Sequence, residues 1–177
     1  MPRSSTNAVR FWLVVVTVLV ADVITKAVAE ATLMPRYSAR QVIGEWVQLR
    51  LVYNPGAAFG LYLGGYSRWI FMALTIGALF VLYQLYQSTR TGDRPRVFAL
   101  ALVCAGAVGN LIDRIRSPKG VVDFIDVGIG DLRWPTFNVA DMAVSVGAFL
   151  LAWVLWGEDA RAAAPAATAV APEREGT

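Results

Sequence analysis

Four long apolar stretches constrain this chain more than any other feature of its sequence. Each is 16 to 23 residues long, and a helix of about 20 apolar residues spans the hydrocarbon core of a bilayer. Apolar residues make up 56% of the chain and charged ones only 16%, against about 25% charged in soluble domains. The sequence therefore predicts an all-α integral membrane protein. Its four transmembrane helices are expected at about residues 11–33, 69–86, 97–112 and 137–156.

The segment between the first two spans has a different period. From Trp46 to Tyr53, apolar residues largely alternate with others, which is typical of a strand. Asn54-Pro55-Gly56 then forms a turn signature. We therefore expect a small sheet at the membrane surface. Residues 157–177 are rich in Ala, Pro and Glu without apolar periodicity, so a disordered tail is expected after a single membrane domain at 1–156.

The first span has an alternative interpretation as a cleavable secretory signal. Two arginines precede the apolar run Phe11–Ala21, and Ala27–Ala29 matches a small-residue cleavage site. Against this, Asp22 and Lys26 interrupt the region, and three further spans follow. We expect the first span to be retained.

Loop charge favours one orientation of the four spans. The short loop between the second and third spans carries Arg90, Arg94 and Arg96, and positive charge in short loops is typical of the cytoplasmic side. The total count points the other way, because nine of the 16 basic residues lie on the opposite side. We give more weight to the short loop and expect both termini in the cytoplasm.

Composition excludes several kinds of chemistry. The chain has no His and a single Cys, Cys104, so it lacks the usual zinc ligands and the imidazole of a Ser/His or Cys/His pair. We expect no metal and no cofactor. Basic residues are scattered rather than clustered, which argues against nucleic acid as a partner. An enzyme of this composition would depend on its 13 carboxylates.

Ionisable residues inside the spans are candidates for function, because they are costly in lipid. Asp22, Lys26 and Glu30 follow one another at intervals of four and share a helix face. They form either a self-neutralising charge ladder or part of a site.

The third span carries a stripe of small and polar residues that ends at its polar boundary. Gly106, Gly109, Asn110 and Asp113 lie on one helix face. Close helix packing explains the glycines but does not require a carboxylate. Asp113 could instead form an ordinary interfacial ion pair with Arg114.

Two further carboxylates could meet near the fourth span. Asn138, Asp141 and Ser145 share a helix face at its start, and Asp123 and Asp126 lie in the apolar hexamer 121–126. A re-entrant or surface-lying segment could bring Asp123 over the start of the fourth helix. The alternative is that Asp123 and Asp126 are solvated loop acids.

A close pair of aspartates has a specific chemistry. Two neighbouring carboxylates do not ionise together easily, so one holds a proton while the other stays charged. The charged group can deprotonate water while the neutral one donates to a scissile carbonyl, which hydrolyses a peptide without metal or covalent intermediate. Asn110 and Asn138 could orient these groups through their amides.

Five motifs resemble the bacterial lipoprotein signal peptidases, also called signal peptidase II, in the order of that family. They are Asp22–Lys26, Tyr53–Gly60, Gly109–Arg114, Val121–Phe124 and Phe137–Asp141. The resemblance covers residues 11–156 and departs only in the 114–120 loop, which is about one residue longer than expected.

The resemblance implies a four-helix aspartic endopeptidase of the bacterial inner membrane with an extracytoplasmic β-cradle at about 41–63. By similarity, Asp123 and Asp141 are the catalytic pair. The residues that bind substrate or support the site are then Asp22, Lys26, Asn54, Gly56, Asn110, Asp113, Arg114 and Asn138.

The resemblance also implies the substrate and partners. The substrates are prolipoproteins that carry diacylglycerol on a cysteine, cut just before that cysteine within membrane lipid, and the inhibitor is globomycin. We expect a monomer with its active site on the outer side. We also infer that the strand-forming segment 44–63 clamps an extended substrate through edge-strand hydrogen bonds.

Two other functions remain open at this point. In a proton- or ion-coupled transporter the intramembrane carboxylates would form a relay, although the chain lacks the repeated halves that many transporters show. A non-enzymatic membrane scaffold would leave the polar groups inside the spans without a role.

Overall fold

The predicted four-span architecture is confirmed by the structure, a computed structural model that describes residues 5–34, 38–56 and 63–163. Each helix is long and apolar enough to cross a membrane. The helices are α1 (Ser5–Thr32), α2 (Ser67–Gln87), α3 (Arg94–Arg116) and α4 (Val139–Ala163). A short 3-10 turn, Gly64–Tyr66, precedes α2.

The helices are longer than their apolar stretches. The structure places α3 from Arg94 to Arg116, and Asp93 caps its start by accepting a hydrogen bond from the backbone N–H of Arg96. Residues 157–163 were expected in the C-terminal tail but continue α4. Alanine is the best helix former, so an Ala-rich stretch can extend an existing helix beyond its apolar part. The rest of the expected tail, 164–177, lies outside the described residues.

An antiparallel four-stranded sheet packs against one end of the helices. Its strands, in spatial order, are β1 (Arg40–Ile43), β2 (Val47–Asn54), β3 (Val121–Ile129) and β4 (Leu132–Arg133). The expected sheet at 41–63 therefore omits half of the strands, and 121–126 belongs to β3 rather than to a re-entrant segment. This strand is largely buried in its first six residues, so it lacks the alternation that reveals a half-exposed strand. Residues 57–62 of the expected cradle lie outside the described part.

The pairing of β2 limits one further expectation. This strand pairs with β3 from Val47 to Asn54 but with β1 only from Val47 to Leu49. A clamp by edge-strand hydrogen bonds is therefore excluded at Val47–Leu49, where both edges are paired, and stays a prediction for the rest of β2.

Two apolar clusters hold the fold together, one among the helices and one between α1 and the sheet. In the first, Phe11 and Val15 of α1 pack with Val97 and Leu100 of α3. The second joins the end of α1 to the sheet, and its buried members are Ala29, Leu33, Leu51, Val122 and Phe124. The sheet is thus held over the ends of α1, α3 and α4.

Two glycines allow α3 to approach its neighbours closely. A Cβ at Gly106 would overlap the carbonyl oxygen of Ala140 in α4. A Cβ at Gly109 would lie 2.6 Å from Oδ2 of Asp22 in α1 and 3.3 Å from Cβ of Ala140. The packing interpretation therefore explains both glycines, and this contact brings Asp22 against the first turn of α4.

Candidate active site

Asp123 lies on β3 and is almost completely buried, with 2% of its surface exposed. Asn54 of β2 donates from Nδ2 to its Oδ2 at 3.1 Å, and Asn138 donates from Nδ2 to its Oδ1 at 2.7 Å. The alternative that Asp123 is a solvated loop acid is therefore wrong. A buried carboxyl with two amide donors is well placed for chemistry rather than for solvation.

Asp141 lies in the first turn of α4, where it forms a capping box with Asn138. The Asn138 side-chain oxygen accepts from the Asp141 backbone N–H at 2.8 Å, and Oδ2 of Asp141 accepts from the Asn138 N–H at 3.2 Å. Asn110 of α3 donates from Nδ2 to the other oxygen, Oδ1, at 2.7 Å. The Asp141 carboxylate thus accepts two hydrogen bonds in the first turn of a helix.

Asn138 connects the two aspartates. Its amide nitrogen donates to Asp123, and its amide oxygen and backbone N–H bind Asp141. The segment leading into it is held by Phe137, which exchanges backbone hydrogen bonds with Ile125 of β3 at 3.0 and 2.8 Å. Because one fully buried residue donates to both carboxylates, from its side chain to Asp123 and from its backbone to Asp141, they face the same small volume.

The surroundings of Asp123 favour its protonated form. Burial, together with the charge of Asp141, raises the pKa of Asp123 from its ordinary 3.8 to about 7. The hydrogen bonds from Asn54 and Asn138 and the charge of Lys26 act in the opposite direction but are weaker. Asp123 is therefore the member of the pair that holds a proton near neutral pH.

Lys26 forms the centre of a second buried cluster beneath the aspartates. Its Nζ lies 2.8 Å from Oδ2 of Asp22 and 2.8 Å from Oδ2 of Asp113. It also donates to Oδ1 of Asn110 at 3.1 Å, which leaves the Asn110 amide nitrogen facing Asp141. The ammonium and Nδ2 of Asn138, which donates to the same oxygen at 3.2 Å, together fix the amide orientation that directs Asn110 toward Asp141.

The cluster also shows which of the in-span charges Asp22, Lys26 and Glu30 lie together. Asp22 and Lys26 pair as expected, and Oδ1 of Asp22 accepts from the backbone N–H of Ala140 at 2.9 Å. Glu30 does not join this pair in the described residues and accepts instead from the Tyr53 hydroxyl at 2.7 Å. An uncleaved α1 is needed for the cluster, because cleavage after Ala29 would remove both Asp22 and Lys26.

Arg114 and Asp113 connect α3 to the sheet and its turn. Arg114 donates from Nη2 to the carbonyl oxygen of Gly56 at 2.9 Å, and Asp113 accepts from the N–H of Val122 at 3.2 Å. The suggested ion pair between Asp113 and Arg114 is wrong, since the cation beside Asp113 is Lys26. The two aspartates and the eight residues expected to bind substrate or support the site therefore all lie in one network of hydrogen bonds and ion pairs.

The 114–120 loop ends close to this network. Gly120 has φ +99°, and a Cβ there would overlap the carbonyl oxygen of Asn54. Only glycine allows the chain to pass Asn54 at this distance with this backbone conformation. The loop thereby places β3 directly beside the residue that donates to Asp123.

A cleft of about 530 Å³ opens from the aspartates. Its polar part includes Asp123, Asp141 and Arg114. Its other walls are lined by Trp134, Pro135, Thr136, Phe137, Met142, Val144, Ser145 and Val146. Of these, only Ser145 shares the helix face that the sequence marked. In the sequence, Met142 and Val146 look like ordinary apolar helix positions, and among residues 134–137 only Phe137 belongs to a motif.

Other parts of the structure fit a site less well. A larger cavity of about 910 Å³ lies beside the 88–96 loop, where Asp93 caps α3 and Glu158 pairs with Arg96 at 3.1 Å. Among the residues that the structure describes, no group of three or more acidic or cysteine side chains is arranged to hold a metal ion. The cleft at Asp123 and Asp141 is therefore the candidate active site.

Asp126 is distinct from this site although it is only three residues from Asp123. It is 1% exposed and lies 2.6 Å from Nη2 of Arg50 and 2.6 Å from Nε of Arg133. Residues three apart on a strand face opposite sides, as expected for this pair. Asp126 is a buried ion-pair partner that links β2 to the β3–β4 turn, not a solvated loop acid.

Comparison with known proteins gives a consistent result. The model of the family described as signal peptidase (SPase) II matches residues 14–157. A lipoprotein signal peptidase of Burkholderia mallei (strain SAVP1) is 41% identical over 156 residues, which cover 85% of this chain and 90% of the relative. A lipoprotein signal peptidase of Janthinobacterium sp. (strain Marseille) is 40% identical over 151 residues, covering 83% and 88%.

A solved structure agrees with the fold as well as with the sequence. A bacterial membrane enzyme determined by the in meso method at 2.3 Å resolution superposes with a TM-score of 0.76 at 32% identity. The similarity covers 85% of this chain and 90% of that one. The chain therefore belongs to the signal peptidase II family.

Proposed function

We propose that the protein is an aspartic endopeptidase that removes the signal peptide from prolipoproteins. Family membership supports a peptidase and does not favour the transporter alternative. The observation that carries the aspartic mechanism is that one buried residue, Asn138, binds both carboxylates, donating from its side-chain amide to Asp123 and from its backbone N–H to Asp141. A scaffold would not require two carboxylates held together at the end of a 530 Å³ cleft.

The two aspartates take different roles because their surroundings differ. Asp141 receives two hydrogen bonds at a helix N-terminus, so it is the ionised base. Asp123 is buried with a pKa of about 7, so it is the protonated acid. This division leaves one proton on the pair, as aspartic proteases require.

Hydrolysis then proceeds in two balanced steps. Asp141 takes a proton from water, the water oxygen bonds to the scissile carbonyl carbon, and Asp123 gives its proton to the carbonyl oxygen. In the resulting diol the C–N bond breaks while Asp141 protonates the leaving nitrogen and Asp123 recovers a proton from a hydroxyl. No metal and no covalent enzyme intermediate is needed.

The cleft also fits the proposed substrate. Trp134, Phe137 and Met142 give it apolar walls next to the aspartates, which suits a peptide bond beside a lipid-modified residue. We propose that the substrate cysteine carries diacylglycerol, that cleavage occurs just before it, and that globomycin binds in the same cleft. The protein acts as a monomer in this proposal.

The experiment that tests this function is direct. Purified protein is incubated with a diacylglyceryl-modified prolipoprotein, with and without globomycin, and the products are identified by mass. A product that begins at the modified cysteine and is absent with globomycin is expected. Absence of cleavage, or a product cut elsewhere, would contradict the proposal.

We further propose that both termini are cytoplasmic and that the active site faces the outer side of the inner membrane. The observation is the loop arginines between α2 and α3, at the end of the bundle opposite the aspartates. In a Cys104→Ala background, Tyr66→Cys and Pro118→Cys should react with an impermeant thiol reagent from outside, and Thr91→Cys only after permeabilisation. The cysteine is placed at residue 91 because the next residue, Gly92, has φ +86°, a backbone conformation that a cysteine adopts only with strain. Reversed labelling would overturn the orientation.

A pH prediction follows from the buried acid. Because the pKa of Asp123 rises from 3.8 to about 7 on folding, the folded protein binds this proton more tightly than the unfolded chain does. This contribution to the free energy of unfolding is complete below about pH 4 and is lost as the pH rises to about 7. Asp123→Asn cannot ionise, so its stability relative to wild type should increase over that range and then level off. Thermal unfolding in detergent at a series of pH values checks this, and parallel curves would contradict it.

A further inference from the structure

A second groove lies between α1 and α3 at the end of the bundle opposite the aspartates. It has a volume of about 370 Å³. Its apolar walls are Leu13, Val14, Pro95, Val97 and Phe98. Two arginines, Arg10 and Arg94, also line it. Along α1, Arg10 lies about 24 Å from Lys26, and along α3, Arg94 lies about 28 Å from Asp113. The groove is therefore nearly one hydrocarbon thickness away from the active site.

Neither of these two guanidinium groups has a protein partner among residues 6–34, 38–56 and 63–158. By contrast, Arg96 pairs with Glu158 at 3.1 Å, and Arg68 donates to the carbonyl oxygens at the end of α3. Two unpaired positive charges beside one apolar groove are complementary to a molecule that has both an anionic group and an apolar chain.

The backbone near these arginines is held in place. Asn7 of α1 is 7% exposed; its Nδ2 donates to the carbonyl oxygen of Arg90 at 3.1 Å, and its Oδ1 accepts from the N–H of Gly92 at 3.3 Å. Asp93 then caps α3 through the N–H of Arg96 at 3.2 Å. The loop before Arg94 is thus attached to the helix that carries Arg10, so both charges belong to one preorganised unit.

We propose that this groove binds one anionic phospholipid. An acyl chain lies along the apolar walls, and the headgroup phosphate lies between Arg10 and Arg94, where guanidinium groups form charge-assisted hydrogen bonds. Basic pockets between transmembrane helices bind anionic headgroups in this way. A zwitterionic lipid would fill the same walls without offering a net negative charge to the arginines.

The test uses the full chain in a neutral detergent. Phosphatidylglycerol and phosphatidylcholine with identical acyl chains are titrated separately, and bound lipid is counted by native mass spectrometry. Wild type should retain phosphatidylglycerol preferentially. Arg10→Gln combined with Arg94→Gln should weaken its binding about thirtyfold, since each arginine near an anionic group contributes about fivefold, and should leave phosphatidylcholine binding unchanged.

Two controls separate the groove from general surface charge. Arg90→Gln combined with Arg116→Gln removes the same charge from exposed positions outside the groove, and should change phosphatidylglycerol binding by less than about twofold. Leu13→Trp keeps every charge but fills the groove from an exposed position, and should also release the lipid. Thermal unfolding and cleavage activity verify that each variant is folded.

Three results would overturn the proposal. They are equal retention of the two lipids by wild type, equal losses in the two double variants, and unchanged binding in the Leu13→Trp variant. Cleavage activity is measured independently, so none of these results bears on the peptidase function.

Discussion

Asp141→Asn and Asp123→Asn should each abolish cleavage, with kcat reduced about 10⁴-fold or more. An amide keeps the shape of the carboxyl group but can neither accept the proton from water nor donate one to the carbonyl. The capping box at α4 retains one of its two hydrogen bonds in Asp141→Asn, because the Asn138 oxygen still accepts from the backbone N–H of residue 141. Both variants should therefore fold and still bind globomycin. The measurement is the rate of product formation, with globomycin binding as the test of folding.

The double variant makes this prediction more specific. Because the two aspartates act as one unit, removing both should cost no more than removing one. Asp131→Asn is a suitable control, since Asp131 is exposed in the turn between β3 and β4. Substantial turnover by either single variant would mean that the pair is misassigned, and Asp113 would then be the next carboxylate to test.

Asp126→Asn tests a different property. The sequence alone predicts that it retains activity, because Asp126 faces away from Asp123. The structure adds two arginine partners at 2.6 Å, so the variant should lose stability while each folded molecule keeps its turnover.

Lys26→Met should lower the free energy of unfolding by about 3 kcal/mol and also reduce cleavage. The substitution leaves Asp22 and Asp113 buried without the ammonium that lies 2.8 Å from each, and breaking a buried ion pair from one side costs about 3–5 kcal/mol. It also removes one of the two donors to the Asn110 oxygen and leaves only Nδ2 of Asn138 at 3.2 Å, so the amide is held less firmly in its orientation toward Asp141. Unfolding in detergent and cleavage rates measure the two effects.

The Asp113→Asn substitution separates charge from position. In Lys26→Met combined with Asp113→Asn, the only buried carboxylate left in this cluster is Asp22, which keeps its bond from the N–H of Ala140. Stability should largely recover while activity stays reduced, because Asn110 still lacks one of the two donors to its side-chain oxygen. Recovery of both would mean that Lys26 acts only through stability, and recovery of neither would mean that its position matters more than its charge.

Some parts of this structure can be predicted from the sequence for physical reasons. The spans are visible because lipid requires long apolar runs, and the polar residues of the site are visible because they interrupt those runs at helical spacing. The capping box of Asn138 and Asp141 is also a local pattern, an N-cap residue followed three positions later by an acceptor.

Other parts depend on contacts between distant segments. The central strand β3 has no alternation because its first half is buried on both faces, so its sequence does not distinguish it from a re-entrant segment. The partners of Asp126 come from β2 and β4, and Lys26 meets Asp113 across two helices. No spacing rule along the chain predicts such pairs, and the apolar wall of the cleft at Met142 and Val146 is equally invisible.

If Asp141 is the base, as proposed, its placement in a capping box couples catalysis to the integrity of a helix end. Helix termini fray more readily than helix centres, and fraying of the first turn of α4 would break the bonds between Asn138 and Asp141 and move the base away from Asp123. The protein could then stop cleaving while its four spans remain fully inserted. In the proposed mechanism, peptide-bond hydrolysis is thus limited to molecules in which this one turn is wound, and any substrate contact that winds it would switch the chemistry on only when a chain is present to be cut.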